Sequence, residues 1–332
     1  MKSILFGDSK IIGKVYPKPI IDILKREAGL NPEVIENQDL PDQHLDTSDI
    51  EYIFTTWGMP QLNAEEIRKY FPRLEALFYA AGSVQSFARP FLEHNVRVFS
   101  AWAANGIPVA EYAFAQILLA NKNFYTCARY SSAGDNQSAR KAAEQISGNY
   151  GCKAGIIGAG MIGRMVIQSL KRHDIEVLVF DPFLPDKAAE ELGVKKVSLQ
   201  RLFSECQTIS NHLANNPQTV GILNYDLFSL MIPNAVFINT GRGAQVVEAD
   251  LCRILAERTD ITAVLDVTWP EPPEPGHPFY TLPNAVLTPH IAGSMGREVE
   301  RMSRYMLEEF RRLSTGKPCL YEITMDMLNN MA

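Results

Sequence analysis

The sequence predicts an α/β fold with two doubly wound domains, each a parallel sheet covered by helices. Two observations indicate this fold. At 332 residues, the chain exceeds the roughly 250–300 residues at which a single hydrophobic core stops growing. Short apolar runs also alternate with helix-like patterns along the whole sequence, which is typical of parallel strands joined by crossover helices.

The first 100 residues contain four strand-like runs and two helix-like patterns. The predicted strands are SILF, EYIFTT, ALFYAA and VRVFS. The segments KPIIDILKREAG and NAEEIRKYF place apolar residues at three- and four-residue spacing, which predicts helices. One long helix is predicted over PVAEYAFAQILLANKNFYTCARY, with Pro108 in its first turn.

The second half repeats this alternation after a change in composition. Residues 131–151 are small and polar, which predicts a surface crossing between domains. Six strands are then predicted, in the runs KAGIIG, IEVLVF, QTISNH, AVFIN, TAVLD and AVLT. An amphipathic helix closed by Gly316 is predicted over residues 297–316, and PCLYEI is a candidate last strand.

The composition excludes several classes of function. The formal charge of −6 argues against nucleic-acid or anionic-membrane binding, because both need clustered cations. The five cysteines are scattered without a Cys-x-x-Cys pattern, so we predict reduced thiols and no bound metal. The N-terminus has no signal-peptide core, and no apolar run reaches the roughly 20 residues of a membrane helix. We therefore expect a cytoplasmic protein.

A glycine-rich turn joins the first strand of the second half to its helix. In GAGMIG, Gly158 permits a tight turn, Gly160 lets the backbone approach a pyrophosphate, and Gly163 allows close packing of helix on strand. The helix begins around Met161 and Ile162, where free N–H groups and the positive end of the helix dipole favour phosphate. The pattern predicts a dinucleotide-binding Rossmann domain.

The strand after this turn ends in an acidic residue that points to the kind of dinucleotide. Asp181 follows Gly163 by 18 residues, at the end of IEVLVF. A carboxylate there accepts hydrogen bonds from the ribose hydroxyls of adenosine and repels a 2′-phosphate. The segment DPFLPD supplies no arginine to bind such a phosphate, so the predicted cofactor is NAD and not NADP.

Three later strand ends carry charged or titratable residues. AVFINTGRG presents Arg242, TAVLDVTWPEPP presents Asp266 and then Glu271, and AVLTPHIAG presents His290. Each residue alone has an ordinary structural explanation: a surface cation, a solvated acid or a histidine with a polar partner. Because ligands bind outside the carboxyl ends of parallel strands, the residues together indicate a catalytic site.

This set of side chains suits one reaction. An arginine binds a carboxylate through two parallel hydrogen bonds and polarises a neighbouring carbonyl. A histidine held by a carboxylate donates a proton to the carbonyl oxygen and takes it back in the reverse direction. The prediction is reversible NAD(H)-dependent hydride transfer between a 2-hydroxy acid and its 2-oxo acid.

The sequence resembles the D-isomer-specific 2-hydroxyacid dehydrogenases. The resemblance is carried by GIIGAGMIG, INTGRG, NGIPVAEYAFAQILLA and LDVTWPEPP…HPFYTLPNAVLTPHIAG. The spacings of 29 residues from Arg242 to Glu271 and of 19 residues from Glu271 to His290 are similar to those of that family's catalytic triad.

The resemblance implies a division of labour along the chain. A flavodoxin-like substrate domain would comprise residues 1–104 and 299–332, and a larger NAD-binding Rossmann domain would comprise residues 105–298, with a homodimer built through the cofactor domain. The further residues implied in contact with NAD are His212, Leu213, Thr240, Gly241, Asp266 and Ala292. The residues implied near the substrate, besides Arg242, are Trp57, Gly58, Gly82, Ser83, Val84 and Asn105.

Two departures from the family pattern limit what the resemblance implies about the substrate. The loop AAGSVQSF lacks the aspartate of the GxDNID pattern, so the substrate is left open. NGIPVAE resembles the formate-oxidising branch, but that branch pairs its histidine with glutamine, and Glu271 stands here. The alternatives are formate or phosphite oxidation on the same scaffold, and a non-enzymatic NAD(H)-sensing protein like the related co-repressors. The complete triad favours the enzyme.

Overall fold

The computed structural model describes residues 2–40 and 45–328. The chain divides into two compact units. The first comprises the described residues of Met1–Gly106 and Ser294–Ala332, and the second comprises Ile107–Gly293. Each unit contains a mainly or wholly parallel sheet with helices in the crossovers, which confirms the predicted fold class.

The first unit has a six-stranded sheet in the order β13-β5-β4-β3-β1-β2. Its strands are β1 (Ser3–Phe6), β2 (Leu30–Ile35), β3 (Tyr52–Thr55), β4 (Ala76–Tyr79), β5 (Arg97–Ser100) and β13 (Glu322–Ile323). Neighbouring strands are parallel, except that β13 pairs antiparallel with β5. The strands β1, β3 and β4 are buried along their whole length, as expected for a sheet covered on both faces.

Helices of the first unit pack on both faces of this sheet. They are α1 (Ser9–Val15), α2 (Lys18–Ala28), α3 (Ala64–Tyr70), α4 (Ala88–Glu93), α13 (Val299–Ser314) and α14 (Met325–Leu328). One core lies between the sheet and α3 and α4, and a second lies between the sheet and α1, α2 and α13. The apolar stripe of α13 includes Met302, Met306 and Phe310, all buried in that second core.

The second unit has a seven-stranded parallel sheet in the order β12-β11-β10-β9-β6-β7-β8. Its strands are β6 (Cys152–Ile157), β7 (Ile175–Phe180), β8 (Lys195–Lys196), β9 (Thr208–Asn211), β10 (Val236–Asn239), β11 (Thr262–Leu265) and β12 (Ala285–Leu287). The order reverses at β6, between β7 and β9, which creates the crevice where doubly wound sheets bind ligands.

The helices of the second unit connect these strands. They are α6 (Phe124–Ser132), α7 (Asn136–Ala143), α8 (Met161–Leu170), α9 (Asp186–Leu192), α10 (Leu199–Glu205), α11 (Tyr225–Ser229) and α12 (Glu248–Glu257). The boundary between the two units falls within α5 (Trp102–Ala120). Buried aliphatic and aromatic side chains form a core on each face of the sheet.

Three local predictions are wrong. The helix predicted from Pro108 begins earlier, at Trp102, so that Pro108 lies inside α5. The same pattern is interrupted after Ala120, because Asn123 adopts a left-handed φ of 52° that ends one helix and begins the next. Residues 131–151 contain α7 and lie within the second unit, so they are not a crossing between domains.

Two strands are absent from the predictions, β2 and the two-residue β8. β2 contains Pro32 and has four exposed or half-exposed residues among its six, which hides the usual apolar pattern. It pairs with β1 alone, at the edge of the sheet, where proline is tolerated because one side of the strand needs no hydrogen bonds.

Among the helices of the described residues, none is both long and apolar enough to cross a membrane.

Candidate active site

The glycine-rich turn has the geometry that its sequence predicts. Gly158 has a φ of +90°, and a Cβ there would lie 2.8 Å from the carbonyl oxygen of His212. A Cβ on Gly163 would lie 2.0 Å from the carbonyl oxygen of Gly158, so only glycine allows this helix to approach the strand. A Cβ on Gly160 would meet nothing within 4 Å. The space beside Gly160, directly before α8 begins at Met161, is therefore open.

Asp181 lies beside this turn, at the end of β7. One carboxylate oxygen accepts a hydrogen bond from the Ala159 N–H at 2.8 Å, and the other accepts one from the Phe183 N–H at 2.8 Å. These two bonds fix the carboxylate, yet each oxygen keeps a lone pair for a further donor. The side chain is half-buried and thus accessible to a ribose.

Two buried polar atoms at neighbouring strand ends have no partner among the described residues. They are Thr240 Oγ1, after β10, and His212 Nδ1, after β9. Burial lowers the pKa of His212 to about 4, so its ring is neutral, and its Nε2 lies 2.9 Å from Ser210 Oγ. Unsatisfied buried groups are uncommon, and here they lie at the ends of β9, which borders the crevice, and of its neighbour β10. The residues present therefore fit a bound dinucleotide.

The backbone around this crevice is held by buried amide side chains. Gln245 Nε2 donates to the carbonyl oxygens of Leu213 and Ala214, both at 3.0 Å. Its Oε1 accepts from Asn211 Nδ2 at 2.6 Å, and a Cβ on Gly241 would lie 2.8 Å from that same Oε1. The predicted positions Leu213 and Gly241 thus belong to one rigid network.

Arg242 is presented by a turn that only glycine permits. A Cβ on Gly243 would lie 2.0 Å from the carbonyl carbon of Thr268, so the turn packs directly against the loop that follows β11. Arg242 is half-buried, and its Nη1 donates to the Gly241 carbonyl at 2.8 Å. Burial lowers the pKa of Arg242 from its usual value, and the nearby Glu271 carboxylate opposes that effect.

Glu271 and His290 are in direct contact. His290 Nδ1 lies 2.7 Å from Glu271 Oε1, and the two side chains are 46% and 39% exposed respectively. Three groups from three consecutive strand ends therefore come together, with Glu271 between a guanidinium and an imidazole. The Nε2 atom of His290 is left to act on another molecule.

The backbone of His290 has an unusual conformation. Its φ of 54° lies in the left-handed region, which is uncommon for a residue other than glycine. The His290 N–H donates to the carbonyl oxygens of Asp266 and Thr288, both at 3.0 Å. Nothing in the sequence predicts this conformation.

Asp266 holds the loop that carries His290. It is buried, and its Oδ1 accepts from Thr288 Oγ1 at 2.6 Å and from the Ile291 N–H at 2.8 Å. Its Oδ2 accepts from the Ala292 N–H at 2.9 Å, which leaves one acceptor position free on that oxygen. The side chain thus fixes the loop with three hydrogen bonds and retains one position for a ligand.

Glu248, which the sequence reasoning missed, braces the loop that carries Glu271. Its Oε1 accepts from the Trp269 N–H at 2.7 Å, and its Oε2 lies 3.5 Å from His277 Nε2. His277 Nδ1 accepts from the Phe279 N–H, so the ring proton lies on Nε2 and faces Glu248. Burial raises the pKa of Glu248. A glutamate at a helix start carries no sequence signal of such a long-range contact.

The predicted substrate residues of the first unit also follow strand ends. Trp57 and Gly58 come after β3, and Gly82, Ser83 and Val84 come after β4. Asn105 lies beside Gly82, because a Cβ there would be 3.3 Å from Asn105 Nδ2. Within the part of the chain that the structure describes, the N–H groups of residues 82–84 donate no hydrogen bond.

Among the described residues, no three His, Cys, Asp or Glu side chains are grouped so that they could hold a metal ion.

The fold and the glycine-rich turn are those of a dinucleotide-binding protein, and comparison with known proteins gives the family. The model of the D-isomer specific 2-hydroxyacid dehydrogenase NAD binding domain matches residues 114–292, more than half of the chain. The chain belongs to that family, which confirms the resemblance drawn from its motifs. Its second unit is an NAD-binding domain, which confirms NAD as the cofactor, whereas the discrimination against NADP stays a prediction.

Individual relatives extend the comparison. The D-3-phosphoglycerate dehydrogenase of Archaeoglobus fulgidus is 30% identical over 226 residues, which are 68% of this chain and 42% of that protein. The glyoxylate reductase/hydroxypyruvate reductase of Mus musculus is 35% identical over 150 residues, 45% of this chain and 46% of that protein. The chain spans less than half the length of the curated relatives that it matches first.

A solved structure supports the fold over nearly the whole chain. The D-mandelate dehydrogenase of Rhodotorula graminis aligns with a TM-score of 0.81 and 19% sequence identity, and the match covers 97% of each chain.

Proposed function

We propose that the protein is an NAD-dependent dehydrogenase that interconverts a D-2-hydroxy acid and its 2-oxo acid. The observation that carries the proposal is the 2.7 Å contact between His290 Nδ1 and Glu271 Oε1, at the strand edge that also carries the glycine-rich turn. Carbonyl reduction requires a proton at oxygen, and a carboxylate-paired imidazole is suited to supply it.

Each of the two residues has a defined part in the proton transfer. The Nδ1–H of His290 donates to Glu271, which orients the ring and leaves Nε2 for the substrate. Bound NADH supplies the hydride. In the reductive direction, His290 Nε2–H gives its proton to the carbonyl oxygen; in the oxidative direction, the neutral Nε2 takes a proton from the hydroxyl. Glu271 stabilises the imidazolium and keeps its own charge throughout.

Arg242 anchors the substrate carboxylate. Its guanidinium is half-buried, and in such surroundings a charge-assisted pair with a carboxylate is stronger than it is in water. The planar fork also fixes the orientation of the 2-oxo acid and polarises its carbonyl. The glyoxylate and hydroxypyruvate named for the mouse relative are 2-oxo acids that such a fork fits.

For NAD we propose the residues around the crevice of the second sheet. The N-terminal turn of α8 binds the pyrophosphate, Asp181 accepts from the adenosine ribose, and the backbone at His212 and Leu213 lines the adenine side. Thr240, Gly241, Asp266 and Ala292 surround the nicotinamide. The support is the open space beside Gly160 and the unpartnered Thr240 Oγ1.

The first unit is proposed to bind substrate. Its N–H groups at Gly82, Ser83 and Val84 suit a carboxylate because they have no other acceptor among the described residues, and Trp57, Gly58 and Asn105 shape the surroundings. We propose residues 1–104 and 299–332 as this domain and residues 105–298 as the cofactor domain. The two compact units, divided near residues 106 and 293, support this division.

Assembly and location are further parts of the proposal. We propose a homodimer built through the cofactor domain, on the strength of family membership, and sedimentation equilibrium of the full chain tests it. We propose a cytoplasmic location because all five cysteines are free thiols, which is typical of a reducing compartment.

A panel of 2-oxo acids with NADH, followed by nicotinamide absorbance, tests the activity. The panel contains glyoxylate, pyruvate, hydroxypyruvate, one branched 2-oxo acid and one aromatic 2-oxo acid. These acids differ in the size of the group attached to the 2-oxo carbon. NADH oxidation with at least one acid, giving the D-product on a chiral column, is expected. Tight NADH binding without turnover on any acid would favour a non-enzymatic NAD(H) sensor. NAD reduction by formate or phosphite alone would favour the anion-oxidising alternative.

A further inference from the structure

A chain of hydrogen bonds leads from α5 to the loop that carries His290. The hydroxyl of Tyr112, on α5, lies 3.1 Å from Thr288 Oγ1. Thr288 Oγ1 lies in turn 2.6 Å from Asp266 Oδ1. Tyr112 and Thr288 are half-buried and Asp266 is buried, so these bonds are partly shielded from water, and an unmade bond at the buried carboxylate is costly.

The donor and acceptor of each of these hydrogen bonds follow from counting the available protons. An ionised carboxylate can only accept, so the single proton of the Thr288 hydroxyl belongs to the short bond with Asp266. Thr288 Oγ1 must then be the acceptor of its other bond, and the Tyr112 hydroxyl is the donor. Each hydroxyl thereby uses its proton toward Asp266.

The Asp266 carboxylate, at the end of these hydrogen bonds, holds the backbone that directly follows a strained residue. Asp266 accepts from the N–H groups of Ile291 and Ala292 at 2.8 and 2.9 Å, and its carbonyl oxygen accepts from the His290 N–H at 3.0 Å. His290 itself has a φ of 54°. A strained conformation of this kind persists only when its surroundings enforce it.

We propose that Tyr112 and Thr288 are positioning residues for His290. The Tyr112 hydroxyl fixes Thr288, Thr288 fixes the rotation of the Asp266 carboxylate, and that carboxylate holds the His290 backbone in its left-handed conformation. The ring is thereby kept within reach of Glu271. The inference rests on the proposed function, because it explains how the acid–base histidine is held in place.

Tyr112→Phe removes one oxygen atom and keeps the ring. Hydrogen exchange of a peptide spanning residues 288–294, measured by mass spectrometry on the full chain, reports on the N–H groups of Ile291 and Ala292. We expect exchange there to be about fivefold faster or more, the ratio that matches the loss of one hydrogen bond of ordinary strength. Peptides from β6 and β10 should be unaffected.

The matched control is Tyr225→Phe. The hydroxyl of Tyr225 donates to Glu257 Oε2 at 2.8 Å, so the same atom is lost from a half-buried tyrosine that contacts neither Tyr112 nor Thr288. Its expected effect on the 288–294 peptide is none. Equal acceleration in both variants would indicate general loosening of the fold and overturn the proposal.

Variants of Thr288 distinguish the hydroxyl from the side-chain volume. Thr288→Val should reproduce the faster exchange, whereas Thr288→Ser, which keeps the hydroxyl, should restore the slow rate. Tyr112→Phe combined with Thr288→Val should exchange little faster than Thr288→Val alone, because the two hydroxyls act in series. If the double variant accelerated exchange by the product of the two single effects, the two hydroxyls would not act in series, and the proposed order of hydrogen bonds would be wrong.

Kinetics supply the second readout. With the 2-oxo acid that the wild type turns over, Tyr112→Phe should lower kcat about three- to tenfold, in keeping with a misplaced acid, while the NADH dissociation constant is unchanged. Unchanged exchange in Tyr112→Phe overturns the positioning role whatever its activity. A wild type without turnover overturns the proposed function, and the exchange rates then still decide whether Tyr112 holds the loop.

Discussion

At the scale of single residues, the proposed proton transfer depends on a histidine in an unusual backbone conformation. The sequence reasoning reached His290 through its position after β12, and the structure brings it to 2.7 Å from Glu271. At this residue the backbone has a left-handed φ of 54°. Position along the sequence could therefore predict the pairing of residue types but not the conformation that achieves it.

Asp181 sets the choice of cofactor at the same scale. Asp181→Ala should weaken NADH binding about tenfold or more, because hydrogen bonds to a charged group are the stronger ones. NADPH binding should weaken less, since repulsion of the 2′-phosphate is also removed. Quenching of nicotinamide fluorescence gives both dissociation constants.

Asp181→Asn is the control for this substitution. It keeps an acceptor oxygen for one of the two N–H groups, from Ala159 and Phe183, but removes the charge. If the ratio of the NADPH and NADH dissociation constants were the same in the wild type and in both variants, the ribose assignment would be wrong.

At the scale of elements, the turn after β10 is fixed by one glycine. In Gly243→Ala, the new Cβ would lie 2.0 Å from the carbonyl carbon of Thr268, and neither backbone segment can give way alone. We expect destabilisation of about 1–3 kcal/mol, the usual range for overpacking. Urea unfolding monitored by circular dichroism measures it.

Gly13→Ala is the opposite case. Gly13 lies inside α1, and a Cβ there would meet nothing within 4 Å. Alanine should stabilise this helix by up to about 1 kcal/mol, because glycine is the poorer helix former. The two glycine-to-alanine substitutions should therefore change the free energy of unfolding in opposite directions. If Gly243→Ala did not lower it, close packing at residue 243 would not be what requires glycine there.

At the scale of the whole molecule, one histidine with a buried ring nitrogen, His212, makes stability depend on pH. Burial lowers the pKa of His212 from 6.5 to about 4, so the unfolded chain binds this proton more tightly than the folded chain does. The stabilising contribution is complete above about pH 6.5 and is lost as the pH falls toward 4. At a pH below both the unfolded and the folded pKa of His212, the loss in the free energy of unfolding approaches about 3 kcal/mol.

His212→Gln removes this group and tests the argument. The free energy of unfolding of the wild type, relative to that of the variant, should fall between pH 6.5 and 4. The same substitution at His173, which is exposed, should leave the pH dependence of the wild type intact. If the free energy of unfolding depended on pH in the same way in the wild type and in His212→Gln, His212 would not be held neutral by the fold.

The sequence predicted most of the fold because alternation of apolar runs is a local signal. Prediction from the sequence failed where contacts between residues far apart in the sequence determine the local structure. At the break between α5 and α6, beside the left-handed Asn123, buried Asn121 accepts from Thr208 Oγ1 at 2.6 Å through its Oδ1. The contacts of Glu248 with Trp269 and His277 likewise join residues more than 20 positions apart. Local periodicity carries no information about either.

The most direct test of the central claim compares the wild type with His290→Gln in a single turnover. Enzyme saturated with NADH is mixed with the best 2-oxo acid of the panel, and nicotinamide absorbance is followed by stopped flow. We expect the rate to fall by about 10²–10⁴-fold, the usual contribution of a general acid, with an unchanged NADH dissociation constant. A variant that reduces the acid at the wild-type rate, or loses NADH binding and turnover together, would contradict the assignment of His290 as the proton donor.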